Sequence, residues 1–544
     1  MASTRGRLIG LFALAAALPA VEEAVLVAAR FHAAQGLAPQ VTAVWPYDSY
    51  HDMRWLLVYH DSWGSFGLGL LALIVIRALL SALLTWLAWP AGEARPSRRW
   101  LLRRNLEVAV VAALVVSPWA ALSVAFSAVA LSWYLFASLG PLVVTAPFLA
   151  RAGVVDRWWR GLPTIELLGW STLNFVVLTL AGALISSAPG WWGVPVAAFA
   201  GTVNGVLWLR TVAAAVLPVR VRLPRVPAAP IVIALAVVGA IWAESFIGVA
   251  AGGQDGPWRP PVVTQRLPAE VREAVIVLGG HDSRWQGTPP ADPRVERFSY
   301  RGLDRRGRPL PYEPEATHQS LDTSAGLLAA QVEALHRRTG RPIALVGQSE
   351  GAMVARAFLD KLPRGPVTAV VLFSPLVQAG RTYYPPPGYE GWGVATGWQL
   401  RALFWLANLP RPVKDHPDEA FVRSMLVDAA FYRNRTLCPV PGVRIIAFLP
   451  TVSAAEAPPG EYTHVPVYQM PALHGGLIGN RAVQDQVIRF LEGAPVDQPR
   501  REYDLLQRLG SAWQAPSLLL SQNPVWSASR EGDPARTGRV CQPR

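Results

Sequence analysis

Pro342-Ile343-Ala344-Leu345-Val346-Gly347-Gln348-Ser349-Glu350-Gly351-Ala352-Met353-Val354 is the stretch whose reading decides the fold of the C-terminal half. It predicts a short buried strand, a G-x-S-x-G reversal and the first turn of a helix. A reversal this tight demands very small residues two before and two after the serine, and Gly347 and Gly351 supply them. Strain of that kind turns the Ser349 hydroxyl outward, and the new helix N-terminus brings backbone N–H groups close to it. A pentapeptide of this composition recurs by chance in Gly-rich chains, so its flanks carry the weight. Ile343 to Val346 is an apolar run of strand length. Ala352 to Leu362 places Met353, Val354, Ala357, Phe358 and Leu362 on one helical stripe.

With these residues, the segment from Thr339 to Gly351 resembles the nucleophile strand of the α/β-hydrolase superfamily, most like its lipases and esterases. The resemblance covers 270–495. Gln348 stands where the family usually has His, and Ala352 where Gly often follows. The resemblance implies a mostly parallel sheet with helices on both faces and a cap insertion, with Ser349 as nucleophile. It also implies an oxyanion site made by backbone N–H groups of Gly280 or His281, after the strand Ala274 to Leu278, and of Glu350. His281 serves equally well as a capping or packing residue of that loop. The next strand is expected at Arg297 to Tyr300 and a helix at Thr323 to Arg338, followed by strands at Val367 to Phe373 and 443–449.

The family's acid follows the last of these. Glu456 is the first candidate and Glu461 the second; either could instead be a solvated surface carboxylate. A strand at Val465 to Gln469 then precedes Pro471-Ala472-Leu473-His474-Gly475-Gly476, before a helix at Ala482 to Leu491. His474 matches the general base in chain order, Ser then acid then His, and imidazole titrates near working pH. The expected activity is ester cleavage through an acyl-enzyme without a cofactor. The alternatives are acyl transfer to a cell-envelope acceptor, or a transporter or sensor whose hydrolase-like domain only binds. Residues 376–440 form an insertion with Trp392, Trp398, Leu400, Leu403, Phe404, Trp405 and Leu406, suited either to an apolar lid or to packing of the cap itself.

The first 250 residues have another character. Half of the chain is apolar, and the apolar runs concentrate there. Seven spans are expected, near 8–30, 64–89, 106–127, 129–150, 163–186, 194–217 and 229–249, most with the ~20 residues that cross a hydrocarbon core. Six or eight remain compatible with the soft boundary near 128. One set of loops holds Arg5, Arg7, Arg95, Arg98, Arg99, Arg103, Arg104, Arg151, Arg157, Arg160, Arg220, Arg222 and Arg225; the other holds Arg30 and Arg54. That asymmetry predicts a cytoplasmic N-terminus. An odd span count then places the hydrolase domain outside the cytoplasm. Arg5 and Arg7 before Leu8 to Leu18 also resemble a signal peptide, but no clean cleavage site precedes Glu22 and Glu23.

Net charge is +13, spent on topology and anionic lipid. No basic stripe with interleaved aromatics points to nucleic acid. Membrane lipid and an ester substrate, possibly lipid-like, are the expected partners. Arg77 falls mid-span and is expected to pair with Glu22 or Glu23. The loop with Tyr50-His51-Asp52 and Tyr59-His60-Asp61 reads as an interfacial aromatic segment, with metal binding as the other use of its His-Asp pairs. No zinc spacing or phosphate-binding glycine loop is present. Cys438 and Cys541 could pair in an oxidising compartment or remain free thiols. Residues 251–268 read as a linker and 496–544 as a loose tail.

Overall fold

In a computed structural model, residues 4–129, 132–216, 227–236, 239, 261–363, 365–409, 414–432, 435–452, 456–458, 462, 464–495 and 504–528 are described. The N-terminal half is helical: α1 (Thr4–Ala28), a 3-10 segment (His32–Thr42), α2 (Tyr47–Val58), α3 (Trp63–Ala88), α4 (Arg98–Val129), α5 (Ser132–Ala152), α6 (Ile165–Ser187) and α7 (Gly193–Val216). Five stretches, within α1, α3, α4, α6 and around α7, are long and apolar enough to cross a membrane. Their outward faces expose Leu68, Leu71, Leu114, Leu184 and Phe199, as a lipid-facing belt requires. The expected fourth span is α5, whose apolar helix Ala137–Ala152 is shorter. Residues 229–236 of the expected seventh span are helical; most of the remainder lies outside the described residues.

Small residues set the helix spacing. A Cβ on Gly201 of α7 would meet the Ala15 carbonyl oxygen of α1 at 2.0 Å, and one on Gly182 of α6 would meet Ala512 Cβ at 2.4 Å. Such close approach lets helices pack where apolar burial gives no preference over lipid.

Residues 34–58 correct the expectation of an interfacial loop. They are almost wholly buried among the helices. Irregular backbone inside an apolar bundle must find partners, and neighbouring polar side chains supply them. Asn174 Oδ1 accepts from Val44 N at 3.1 Å, and Asn204 donates to the Pro39 carbonyl at 2.8 Å. Trp208 donates to the Thr42 carbonyl, and Thr42 to that of Ala15. Arg77 also departs from expectation: its partner is Asp52, with Asp48 Oδ2 at 3.7 Å. Glu22 reaches His51 Nε2 at 2.9 Å instead, and His51 Nδ1 lies 2.8 Å from Asp52.

The C-terminal half contains one sheet of six parallel strands, β1 (Ala274–Leu278), β2 (Val295–Arg297), β3 (Ile343–Gln348), β4 (Val367–Phe373), β5 (Arg444–Pro450) and β6 (Val467–Met470), in the order β2-β1-β3-β4-β5-β6. Strand β2 ends where the sequence expectation began; beyond it Phe298 N still donates to the Val277 carbonyl at 2.9 Å, and Phe298 to Tyr300 run on buried. There Tyr300 donates to the Gly279 carbonyl at 2.7 Å. Central strands are buried on both faces, which explains their unbroken Val/Ile/Leu runs.

One sheet face packs on Val263, Leu267, Val483, Val487 and Phe490. Val263 and Leu267 thus belong to this domain, while residues 251–260 of the expected linker lie outside the described ones. The other face belongs to an apolar cluster that runs through Phe358 and Met425 into Trp119, Val124 and Phe126 of α4. Each such side chain contributes roughly 1.5–3 kcal/mol when fully buried, so the two halves share a core. Hydrogen bonds cross it: Arg381 N to the Ser127 carbonyl, Thr382 to that of Val124, and Thr396 to that of Leu57.

The tail is not loose where it is described. Residues 504–511 form a helix against α6. Trp513 is buried and stacks on Phe175 at 4.6 Å. Cys438 is buried; Cys541 lies outside the described residues.

Candidate active site

Strand β3 ends at Gln348, and the helix Glu350–Lys361 begins two residues later. Ser349, between them, has φ 52 and ψ −116, a left-handed conformation that costs a non-glycine residue energy. The surroundings enforce it. Ser349 N donates to the Phe373 carbonyl at 2.9 Å, and the Ser349 carbonyl accepts from Ala352 N at 3.0 Å. A Cβ on Gly347 would meet the Gly351 carbonyl oxygen at 2.5 Å, and one on Gly351 would meet the Leu278 and Gly279 carbonyl oxygens at 2.7 Å. Both glycines are therefore required by close approach.

The structure brings Ser349, His474 and Glu456 together. His474 follows β6 on a turn that Gly475 closes at φ 85. Its Nε2 lies 2.8 Å from Ser349 Oγ, and its Nδ1 lies 2.7 Å from Glu456 Oε1. The contact is close but falls short of an aligned hydrogen bond. Glu456 is 1% exposed. Glu461, the second candidate acid, lies outside the described residues. In chemical terms this is a hydroxyl, a proton acceptor and a buried anion in series.

Gly280 flanks the serine. A Cβ there would lie 3.2 Å from Ser349 Cβ and 3.8 Å from Ser349 Oγ. Its loop is pinned by Tyr300 on the Gly279 carbonyl, by Ser283 N on the Gly280 carbonyl at 3.2 Å, and by Thr317 on Asp282 N at 3.0 Å.

The side chains of His281 and Glu350 have a role the sequence did not reveal. Glu350 is fully buried, and its Oε2 lies 2.8 Å from His281 Nδ1. Burial raises the Glu350 carboxyl to about 7, against the pull of His281. Burial lowers His281, but its bonds to Glu350 and Glu419 outweigh this and hold it well above the ordinary histidine value. Glu419, Asp415 and Phe421 reach this point from the insertion; Phe421 stacks on His281 at 5.2 Å. No local motif marks these residues, which are distant in sequence. A cleft of about 340 Å³ between Gln265–Pro268 and Asp485–Arg489 touches none of the residues above.

Set against protein-family models, curated proteins and solved structures, the chain matches none.

Proposed function

We propose that the protein is a membrane-embedded serine hydrolase with an α/β-hydrolase-type catalytic domain, acting on carboxylic esters with an apolar acyl part. The observation that carries this reading is the series Ser349 Oγ, His474 Nε2, His474 Nδ1 and Glu456 Oε1, with successive separations of 2.8 Å and 2.7 Å across the loops after β3, β6 and β5. His474 takes the Ser349 proton as the serine oxygen attacks the ester carbonyl. Glu456 stabilises the imidazolium that results. Backbone N–H groups beside Gly280 and at Glu350 hold the oxyanion. The leaving alcohol takes the proton from His474, and water, deprotonated by the same imidazole, releases the acid.

Access from a lipid phase is supported by the insertion. Its helix Val394–Ala407 packs along α4 and exposes Trp398 and Trp405. Arginine asymmetry supports an extracytoplasmic catalytic domain and a cytoplasmic N-terminus.

The test is labelling with a fluorophosphonate probe on the full-length protein in detergent, alongside Ser349→Ala and His474→Ala. Labelling of the wild type alone supports the reading. A folded wild-type protein that does not label sinks it. The full chain is required because its halves share a core.

A further inference from the structure

Three segments distant in sequence converge just beyond Gly280. His281 and Asp282 lie on the loop after β1, His318 ends the 3-10 turn Pro314–His318, and Asp415 comes from the insertion. One potential ligand atom from each lies within 4.8 Å of all the others. The imidazoles stack with centroids 4.7 Å apart. Their Nε2 atoms both face Asp282 Oδ1, at 4.0 Å from His281 and 2.8 Å from His318. Each Nδ1 meets a different carboxylate, Glu350 Oε2 at 2.8 Å and Glu419 Oε2 at 3.2 Å. Glu419 Oε1 also lies 3.1 Å from His281 Nε2.

We propose that His281, Asp282, His318 and Asp415 form a zinc site that clasps the insertion onto the loop carrying Gly280. Donor chemistry is the first argument. Two imidazole nitrogens and two carboxylate oxygens suit zinc, whereas calcium and magnesium favour all-oxygen sets. Tetrahedral ligands around zinc sit about 3.3 Å apart, so a cluster within 4.8 Å needs only a small contraction.

The far ring nitrogens are the second argument. A metal-bound histidine characteristically donates its other N–H to a carboxylate, which fixes the ring. Glu350 Oε2 stands in that position beside His281, and Glu419 Oε2 lies 3.2 Å from His318 Nδ1, short of an aligned hydrogen bond. Charge is the third. The Asp282 and Asp415 carboxylate oxygens lie within 4.8 Å of each other, and like charges that close favour a cation between them. Among the described residues, the ion pairs of Asp282, Glu350 and Glu419 are all with the same two histidines. Glu350 Oε1 is buried with no hydrogen-bond partner. Finally, Asp282 has φ 56, backbone strain at the residue that turns its carboxylate into the cluster.

Four protein ligands leave no open position, so the ion is structural rather than an activator of water. The proposal is independent of the reaction assigned to Ser349.

The experiment uses the full-length protein, purified without a histidine tag and stripped with chelator, then titrated with zinc chloride by calorimetry and thermal unfolding. One zinc per chain, a raised Tm and no such response to magnesium chloride are expected. His318→Ala and Asp415→Asn should lose stoichiometric binding, and Glu419→Gln should weaken it about 10–100-fold. A folded wild-type protein with no saturable zinc binding overturns the proposal. So does binding that survives both His318→Ala and Asp415→Asn. The wild-type titration stands by itself if a variant does not fold.

Discussion

Glu350 Oε2 sits 2.8 Å from His281 Nδ1, so the residue after Ser349 and the residue after Gly280 are joined side chain to side chain. Both are expected to present backbone N–H groups to an oxyanion. The side-chain bond fixes the spacing of their two loops. Glu350→Gln keeps an acceptor for the ring N–H, whereas Glu350→Ala does not. Glu350→Ala should lower kcat about 10²-fold, the cost of one lost oxyanion donor, with KM little changed. Glu350→Gln should stay within about tenfold of wild type. Steady-state kinetics on a short soluble ester reads both; equal losses would show that the bond is not what holds the loops.

Glu456 offers a separation of activity from stability. It is buried against His474, and a buried carboxylate bears a desolvation cost that its amide does not. Glu456→Gln should lower kcat about 10⁴-fold, as expected when the imidazole loses its orienting anion. Its Tm should equal or exceed that of wild type. A variant with near-normal kcat would remove Glu456 from the site.

Much of this was legible in the sequence, for a physical reason. The elements that carry the serine are local: an apolar strand run, two glycines and a helical stripe all fall within Pro342 to Leu362. Parallel strands buried on both faces announce themselves as continuous apolar runs, and β1, β3 and β4 stand where those runs are. The burial of residues 34–58 is not legible locally because it depends on Asn174 and Asn204, which belong to other helices. The Asp52 partner of Arg77 was hidden for the same reason: α1 seemed the nearest source of a carboxylate, yet Asp52 comes from the inserted segment. The cluster around His281 joins side chains from loops that no periodicity links. Trp513 and Trp526 of the tail sit in pockets built by α6 and by the insertion, which nothing within the tail itself could announce.

Gly280 and the two motif glycines should respond differently to alanine. At Gly347 and Gly351 a Cβ would meet backbone at 2.5 Å and 2.7 Å, where nothing can yield cheaply. Those variants should lose stability by more than the ~1–3 kcal/mol typical of overpacking, seen as a lowered Tm and reduced yield of folded protein. At Gly280 the nearest atom is Ser349 Cβ at 3.2 Å. Gly280→Ala should fold with nearly normal Tm yet label with fluorophosphonate at least tenfold more slowly, because the crowding falls on the serine itself. A normal labelling rate would mean that the loop moves away freely.

Acid should loosen the start of the C-terminal domain. Asp292 accepts from Leu267 N at 2.9 Å and pairs with Arg294 at 2.8 Å, while Arg294 holds the Leu267 and Val271 carbonyls. The Arg294 guanidinium holds the Asp292 carboxyl down at about 2, below the ~3.9 of an unfolded chain. A depressed folded value contributes stability that is complete above pH 4 and is lost as pH falls through 2. The Tm gap between wild type and Asp292→Asn should therefore be full at pH 5 and shrink steadily towards pH 2. A gap that does not change over this range would assign the effect to packing.

The insertion helix Val394–Ala407 should matter only for substrates presented in a bilayer. Trp398 and Trp405 are 48% and 64% exposed, although the helix is fastened to the membrane domain by Ser117 on Gln399 at 2.8 Å and by His60 on Ala395 N at 2.8 Å. Large exposed aromatics on a helix held beside membrane spans suit the headgroup boundary, where an indole keeps its N–H wet and its ring apolar. Replacing both with Gln removes that contact without touching the sheet or Ser349. Trp398→Gln with Trp405→Gln should hydrolyse a short water-soluble ester at the wild-type rate. It should act on a long-chain ester in vesicles roughly tenfold more slowly, since about 1.4 kcal/mol of lost interfacial burial corresponds to that factor. An equal loss on both substrates would show that the two indoles pack the cap and do not engage lipid.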